Sequence, residues 1–560
     1  MRPKTYSLSI LLLMLASGVT AQEWQWMTQL GGVGQNAGRV AASDEDGNIY
    51  LLGGYEGTCY YGSDTIQGGQ VFIAKINPAG NLIWLQTCNS PSGSLGLSDL
   101  AIDTISQSIY VVGTYQTSCT LDTVNLVAGN FAAGLLSKWN YAGSCIWAKN
   151  VATSGTDLLG GQCYMRTLAL SSSGQIVVSG ATTEFAITHV NGQPYPFGSF
   201  LAAYDPNGTP LWDRTFATHS VGQNASVVDL DGSGDLVYAY TPYGLYDLTD
   251  STQVDTILVT GPTHNGYFLA RLNATTGGFV WLEQQRDNGY SLLTPLTVDA
   301  QGRPVVVGRF KDPVMFNTDT LVSPDPSVFS GYIAIYDSTG TEQHLNSFHS
   351  SANVYLEDII PDGTGGGLYM TGRAFPGSGN WNGVPFNVVN FREVFVSHLN
   401  EDGTCQSLFT DGSGLLSMTS GVATDDGLYL SLHFPDFQDT GTVALGSSTY
   451  STYGQRDAII AKLDHVTSVS SVQRSLVSEQ LLIYANPNNG LCTVELPESL
   501  RFTPGLMLAI YDMQGRQVQR VPVSRGSDGM RLDISAEARG MYHVELSDGD
   551  QRYSGTIVFE

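Results

Sequence analysis

Residues Phe72 to Trp84 read "FIAKINPAGNLIW": an apolar strand, a turn opened by Asn77 and closed by Gly80, and a second strand ending in Trp. The same unit recurs as "LLSKWNYAGSCIW", "FLAAYDPNGTPLW", "FLARLNATTGGFVW", "YIAIYDSTGTEQH", "VFVSHLNEDGTCQS" and, shortened, "AIIAKLDHVTS". The residues that open the turn are Asn77, Asn140, Asp205, Asn273, Asp337, Asn400 and Asp464, spaced 63, 65, 68, 64, 63 and 64 apart. An Asx side chain accepts from its own turn, Pro78 or Pro206 presets φ, and the closing glycine takes positive φ without cost. Seven such turns at one period announce a repeat architecture.

A second marker runs in phase with the first: "DGNIYLLGGY", "SQSIYVVGTY", "SGQIVVSGAT", "SGDLVYAYTP", "QGRPVVVGRF", "GGGLYMTGRA" and "DGLYLSLHF". A period near 64 residues with two turn–strand markers leaves room for four short strands, the size of a long-looped propeller blade. The ends of the array indicate how it closes. An aromatic follows the turn at Trp84, Trp147, Trp212 and Trp281, with His344 and Ser407 in its place in the next two repeats. The seventh turn, at Asp464, has no strand after it, whereas "EWQWMTQLGG" carries Trp26 with no turn before it, 58 residues ahead of Trp84. Residues 22–465 therefore read as a seven-bladed β-propeller closed by its N-terminal strand, which pairs both sheet edges. The recurrent Trp reads as packing between blades before it reads as a sugar platform.

Composition agrees with an all-β chain. Of 560 residues 64 are Gly and only 14% are charged, and no segment after the first twenty has a convincing helical pattern. Arg2 and Lys4, the apolar run Leu8–Leu15 and the small residues Val19-Thr20-Ala21 form a secretory signal peptide over 1–21, with cleavage between Ala21 and Gln22. The apolar run is too short to span a bilayer, and no transmembrane segment is expected in the mature chain. Net charge is −26; residues 22–465 hold 15 Lys+Arg against 40 Asp+Glu, so a phosphate backbone would be repelled and nucleic acid is not an expected partner. The odd set Cys59, Cys88, Cys119, Cys145, Cys163, Cys405 and Cys492 lacks metal-ligand spacing and reads mainly as buried small residues. Cys59 and Cys119 hold matching places in successive repeats, which is the one suggestion of proximity.

There is no G-x-S-x-G and no H-E-x-x-H; the nine His are scattered, and His344 and His349 flank a repeat strand. A carboxylate pair from different blades would leave no trace in spacing. The metal candidate is "DLDGSGD": Asp229, Asp231 and Asp235 are closely spaced oxygen ligands that suit Ca²⁺, although Ser233 replaces an acid and the stretch coincides with an ordinary repeat turn. No other cofactor is implied.

The repeats resemble those of large exported bacterial propeller proteins with G-N-x-Y-x-x-G and K-x-x-x-x-G-x-x-x-W blocks, best at Gly47, Asn48, Tyr50 and Gly53 and at Lys75, Gly80 and Trp84. A polar linker follows over 466–480, and residues 481–560 read as a small C-terminal β-sandwich. That segment resembles the type A C-terminal sorting domain of the type IX secretion system of the Bacteroidetes. The opening Y-P-N-P-x-x-G is met by Tyr484, Asn486, Pro487 and Gly490, with Ala485 for the first Pro. The middle block is met by Ile510, Tyr511, Asp512, Gly515 and Arg516, and the late block by Gly540, Tyr542 and Val544. The chain closes with "YSGTIVFE" where the family usually has a Lys-rich strand. The resemblance implies passage through the periplasm and across the outer membrane by the type IX machinery, with release or attachment at the cell surface. With no catalytic motif in the ring, the expected activity is binding or adhesion to an extracellular polymer or protein. The rivals are a polysaccharide hydrolase or lyase using inter-blade carboxylates, and structural surface or matrix material.

Overall fold

In each repeat the turn carries the architecture. Asn77 Oδ1 accepts the backbone N–H groups of Ala79 and Asn81, both at 3.0 Å, and Gly80 N–H closes the turn on Asn77 C=O at 2.9 Å. The same bonds form at Asn140, Asp205 and Asp337, and Asn273 accepts from Thr276. Gly80, Gly143, Gly208, Gly277, Gly340 and Gly403 close these turns at φ between +66° and +86°. The turns join two antiparallel strands, as the alternating sequence on either side of them requires.

The protein is known from a computed structural model that describes residues 24–154, 163–171, 173–182, 188–195, 198–217, 224–230, 236–241, 252–254, 257–259, 265–287, 292–316, 319–363, 367–414, 416–435, 441–465, 481, 483–484, 488–496, 506–512, 517–523, 529–547 and 552–559. The expected signal peptide with Ala21 and Gln22, and the linker 466–480, lie outside these residues. The described residues form strands and turns with no α-helix. The chain divides between Ser471 and Val472 into two compact units.

The first unit is built of antiparallel four-stranded meanders. The first runs Ala37–Ser43, Ile49–Gly54, Val71–Ile76 and Leu82–Asn89, and the sixth Val354–Pro361, Leu368–Ala374, Glu393–Leu399 and Cys405–Asp411. Seven can be followed. The seventh takes three strands from the end of the unit, Ser417–Thr424, Gly427–Phe434 and Asp457–Leu463, and its fourth is Trp24–Gly32. Met27 stands opposite Ala461 and Leu30 opposite Ala458 in that pairing.

Each meander is apolar on both faces, so its middle strands are buried throughout: Val71–Ile76, Ser330–Tyr336 and Asp457–Leu463 have no exposed residue. Seven apolar clusters result, each filled from two consecutive meanders. One of them joins last to first, placing Tyr429, Ala458 and Ile460 with Ile49, Leu51 and Ala74. The first strands of the meanders contact one another in sequence order, and Ser417–Thr424 lies against Ala37–Ser43.

A further device links the meanders. The connection between the second and third strands of each forms a hairpin that reaches the fourth strand of the preceding meander, or the residues just after it. Cys59–Tyr61 pairs with Trp24–Gly32, the tip of Ser108–Leu121 with Leu82–Asn89, and Thr188–Val190 with Cys145–Ser154. Thr252–Val254 pairs with Pro210–Ala217 and Val314–Met315 with Phe279–Asp287, while bridges Ser350–Gly379 and Ser413–Ala444 repeat the link in the last two. These hairpins cover the outer edges that would otherwise offer unpaired backbone.

The second unit has two antiparallel sheets. Ile483–Tyr484, Leu491–Glu495 and Gly529–Asp533 form one; Gln517–Pro522, Met507–Asp512, Gly540–Ser547 and Arg552–Phe559 form the other. They share one core that includes Cys492, Val494, Leu508, Ile510, Val544 and Ile557.

Candidate functional site

Charge is scarce on the first strands of the meanders, and three of its acids, Asp99, Glu357 and Asp358, are tied to backbone N–H groups. A register shift between Leu97 and Asp99, and another between Leu356 and Asp358, turns one acid in each strand toward the neighbouring meander. Asp99 Oδ1 accepts Leu100 N–H and Arg39 Nη2, both at 3.0 Å, and its Oδ2 accepts Leu168 N–H at 3.1 Å. Asp358 repeats the grip: Oδ1 accepts Ile359 N–H and Oδ2 accepts Gly421 N–H, both at 2.9 Å. Glu357 accepts Met418 N–H at 2.8 Å and pairs with Arg373 Nε at 3.2 Å. Burial pushes the Asp358 carboxyl up to about 7 against the lowering effect of its two N–H donors and of Arg39. Burial also raises Asp99, while Arg39 opposes it. The charges of Arg39 and Asp99 act on Asp358 although the three sit on the first, second and sixth meanders.

At the end of the meanders opposite the Asx turns, cations and rings alternate. The Lys311 ammonium lies 4.3 Å from the Phe329 ring centroid, and the Arg309 guanidinium 5.0 Å from Phe329 and 4.4 Å from Tyr355. Arg373 follows at 5.3 Å from Tyr355, and Arg392 lies 5.4 Å from Phe375 and 5.8 Å from Phe391. The rings themselves form a row, Phe329, Tyr355, Phe375 and Phe391, with successive centroids 5.9, 5.6 and 5.5 Å apart. Phe391 and Val389 are about half exposed. Spacing along the chain could not reveal this row, since it is assembled from the fifth and sixth meanders. The legible trace is four cations, Arg309, Lys311, Arg373 and Arg392, in a chain otherwise dominated by acids.

The recurrent Trp residues lie between meanders, as their periodicity implies. A Cβ on Gly80, Gly143, Gly277 or Gly340 would meet the ring of Trp26, Trp84, Trp212 or Trp281, each reaching from the preceding meander. The indole N–H groups of these four donate to Pro78, Tyr141, Ala274 and Ser338 C=O at 2.7–3.0 Å. Where His344 replaces Trp, Asn346 takes over: it approaches Gly403 and donates to Asp402 C=O at 2.8 Å. A polar trio supports the other side of these turns. Asp44 binds Tyr50 and Lys75 in the first meander, and Asp362, Tyr369 and His398 stand in the same places in the sixth.

His344 and His349 do not form a ligand pair: His349 is held between Ser330 and Ser347, and burial lowers its basicity. Among the described residues no three His, Cys, Asp or Glu side chains meet as metal ligands. Asp231 and Asp235 lie outside those residues; Asp229 is the last residue but one of the strand Asn224–Leu230, of which only the backbone is described. All seven cysteines are buried and free. Cys119 has Cys88 and Cys145 as its thiol neighbours, and Cys59 belongs to a different core, because equivalent places in adjacent meanders face successive inter-sheet clusters.

In the second unit Gly490 takes φ +100° and a Cβ there would meet Ser535 Cα at 2.7 Å, so the opening motif needs glycine at this place. Asn488 donates its backbone N–H to Val558 C=O and accepts Gly490 N–H, tying the opening turn to the closing strand. Tyr542 is buried with its hydroxyl on Ala538 C=O, and Tyr511 pairs with His543. Tyr484 is half exposed and Gly540 opens the strand Gly540–Ser547. Asn486, Pro487, Gly515 and Arg516 lie outside the described residues, and of Asp512 only the backbone is described.

An all-β chain with such a tail is an exported protein. Residues 482–560 match the model of the secretion system C-terminal sorting domain, the domain of type IX export, which directs a protein to the cell surface or beyond it. No helix among the described residues is long and apolar enough to cross a membrane. No curated protein matches the sequence. Similar solved structures include the Pyrococcus horikoshii acylaminoacyl peptidase (9% identity, TM-score 0.28, covering 73% of this chain and 59% of that one). They also include the extracellular domain of a putative hybrid two-component system from B. thetaiotaomicron (12%, 0.16, 95% and 99%). A third is the Bacillus licheniformis rhamnogalacturonan lyase (10%, 0.25, 95% and 91%). The chain thus spans less than two thirds of the length of the first of these.

Proposed function

We propose that the seven meanders are the blades of a closed β-propeller, and that this ring is a non-catalytic binding or adhesion module for an extracellular polymer or protein, exported by its tail. Closure is supported by the pairing of Trp24–Gly32 with Asp457–Leu463 and by the core shared between first and last meanders. It would extend the resemblance of the Gly47–Gly53 and Lys75–Trp84 blocks to exported propeller repeats. Such rings gather their loops at two ends, and the ligand is chosen by the loops, not by the ring.

The observation that carries binding over catalysis is the use made of the central acids. Asp99 and Asp358 spend both oxygens on backbone N–H groups or Arg39, as joints between strands do, while one end of the ring presents a cation–aromatic row. The mature full-length chain, screened against polysaccharides and matrix proteins with reducing ends and unsaturated uronates monitored, is expected to bind saturably without turnover. A second reading has one observation in its favour: Asp358, held near 7 beside Asp99, has the protonation of a general acid at neutral pH. Turnover that disappears in Asp358→Asn would establish that hydrolase or lyase in place of the binding module.

A further inference from the structure

We infer that Tyr60 and Tyr453, with Val33 beside them, form a stacking site for an uncharged polysaccharide where the first and seventh meanders meet. The inference deepens the binding reading above and rests on it. Both tyrosines stand in the open, Tyr60 37% and Tyr453 58% exposed, and Val33 is 75% exposed. The two ring centroids lie 6.0 Å apart, with the planes tilted by 53°. Neither hydroxyl has a hydrogen-bond partner among the described residues. Buried tyrosines behave otherwise: Tyr61, the next residue, donates to Gly80 C=O at 2.9 Å, and Tyr115 to Asn150 Oδ1 at 2.6 Å.

The scaffold does not ask for aromatics at these places. The register that sets Tyr60 opposite Gly31 sets Thr120 opposite Asn89 and His189 opposite Thr153 in the next two hairpins. Four residues ahead of the third strand, the place of Tyr453 is taken by Gln67 in the first meander and Val389 in the sixth. The fold supplies the floor instead. Gly31 pairs with Tyr60 on one side, and on the other a Cβ there would run into the Asp457 carboxyl. Asp457 is buried, and its Oδ2 accepts Gln29 Nε2 at 2.7 Å and Tyr453 N–H at 2.9 Å, which fixes the second tyrosine against the first. Gly32, Gly34 and Gly454 let the surrounding backbone close up: a Cβ on each would collide with Thr58 C=O, the Glu56 side chain and Val33 C=O in turn.

Size and charge choose the ligand. A stable protein partner needs about 800 Å² on each side, whereas here two rings and one valine lie open. Two amphipathic rings suit the C–H faces of a few sugar units, and their hydroxyls, with exposed Thr65 and Gln455, can meet sugar hydroxyls. Acids border the patch, Glu56 against Gly34 and Asp64 next to Thr65, on a body with 15 Lys+Arg against 40 Asp+Glu over residues 22–465. That balance repels carboxylated and sulfated polymers and leaves neutral ones unaffected.

The test is calorimetry of the mature full-length chain with laminarin, xyloglucan, galactomannan and polygalacturonate, for wild type, Tyr60→Phe/Tyr453→Phe and Tyr60→Thr/Tyr453→Val. Both double variants change exposed side chains, and thermal melts screen them for folding. The expected result is saturable binding of at least one of the three neutral polymers, unchanged by added salt. Kd is expected to rise about threefold without the hydroxyls and about tenfold without the rings. Unchanged affinity in folded Tyr60→Thr/Tyr453→Val, or preference for polygalacturonate, overturns the inference while leaving the binding reading intact. A wild-type chain that binds none of the neutral polymers, yet captures a matrix protein, overturns the inference alone. Turnover of a probe overturns the binding reading itself.

Discussion

At the scale of single residues the turn glycines carry more than turn geometry. Gly277 sits at φ +66°, and a Cβ there would meet Trp212 Cε3 at 2.5 Å, with Trp212 buried and its indole N–H fixed on Ala274 C=O. Gly57, at φ +74°, has nothing within 4 Å of the same virtual atom. The pair separates two effects. Gly57→Ala is expected to cost about 1 kcal/mol, the strain of a left-handed backbone alone, and Gly277→Ala about 2–4 kcal/mol because the indole must also give way. Denaturant midpoints at constant slope measure both, and equal losses would mean that the indole does not fill the turn. The glycine and its Trp were legible in the sequence because each recurs at a fixed place in most of the repeats. The exception is equally instructive: His344 breaks the pattern, and Asn346, two residues on, supplies the missing bond to the next turn through Asp402 C=O. A period shows the place of a residue, but not which neighbour will take its work when it changes.

At the scale of elements, the strands were legible and their long-range partners were not. The four-strand repeat follows from two turn markers per period, and the completion of the seventh meander by Trp24–Gly32 follows from a Trp without its turn. The hairpins that reach back to the preceding meander leave no such mark, since "VNGQPY" and "WNGVPF" announce a turn without naming the strand they pair with. The joints between first strands were equally hidden, because Asp99 and Asp358 acquire meaning only beside Leu168 and Gly421 of the next meander. These joints carry a pH signature. Asp358 titrates near 7 in the folded protein and about 4 when unfolded, so between those values the native state holds a proton that the unfolded chain has released. Its contribution to stability is complete below pH about 4 and is lost as pH rises through about 7. Asp358→Asn keeps an acceptor oxygen without the charge, and is expected to flatten that part of the stability–pH curve while lowering stability at pH 4.5 through the weaker joint. Urea melts at pH 4.5, 6 and 7.5 read the slope directly. A variant that keeps the wild-type slope would assign the titration to another group, Asp99 being next, since burial raises it as well.

At the scale of the whole molecule the two units answer different questions. The second holds a core of its own and sequence blocks whose glycine, Gly490, is required by backbone geometry, so its match to the sorting family rests on structure as well as on pattern. Routing was therefore readable from some eighty residues, because a receptor-read address must keep its local form. What the first unit does was not, because one sheet scaffold accepts many different loop chemistries. If the tail is an address and nothing more, removing it should change where the protein goes without changing what the rest is. A chain ending at residue 480 is expected to stay inside the cell envelope, with its surface and medium fractions falling at least tenfold, while protease resistance of the first unit persists. The reciprocal chain, a reporter with its own export signal followed by residues 466–560, is expected to reach the surface or the medium. Quantitative fractionation of both reads the outcome. Normal external levels of the truncated chain would remove the sorting role from the tail, and a reporter left in the envelope would show that the first unit supplies part of the address.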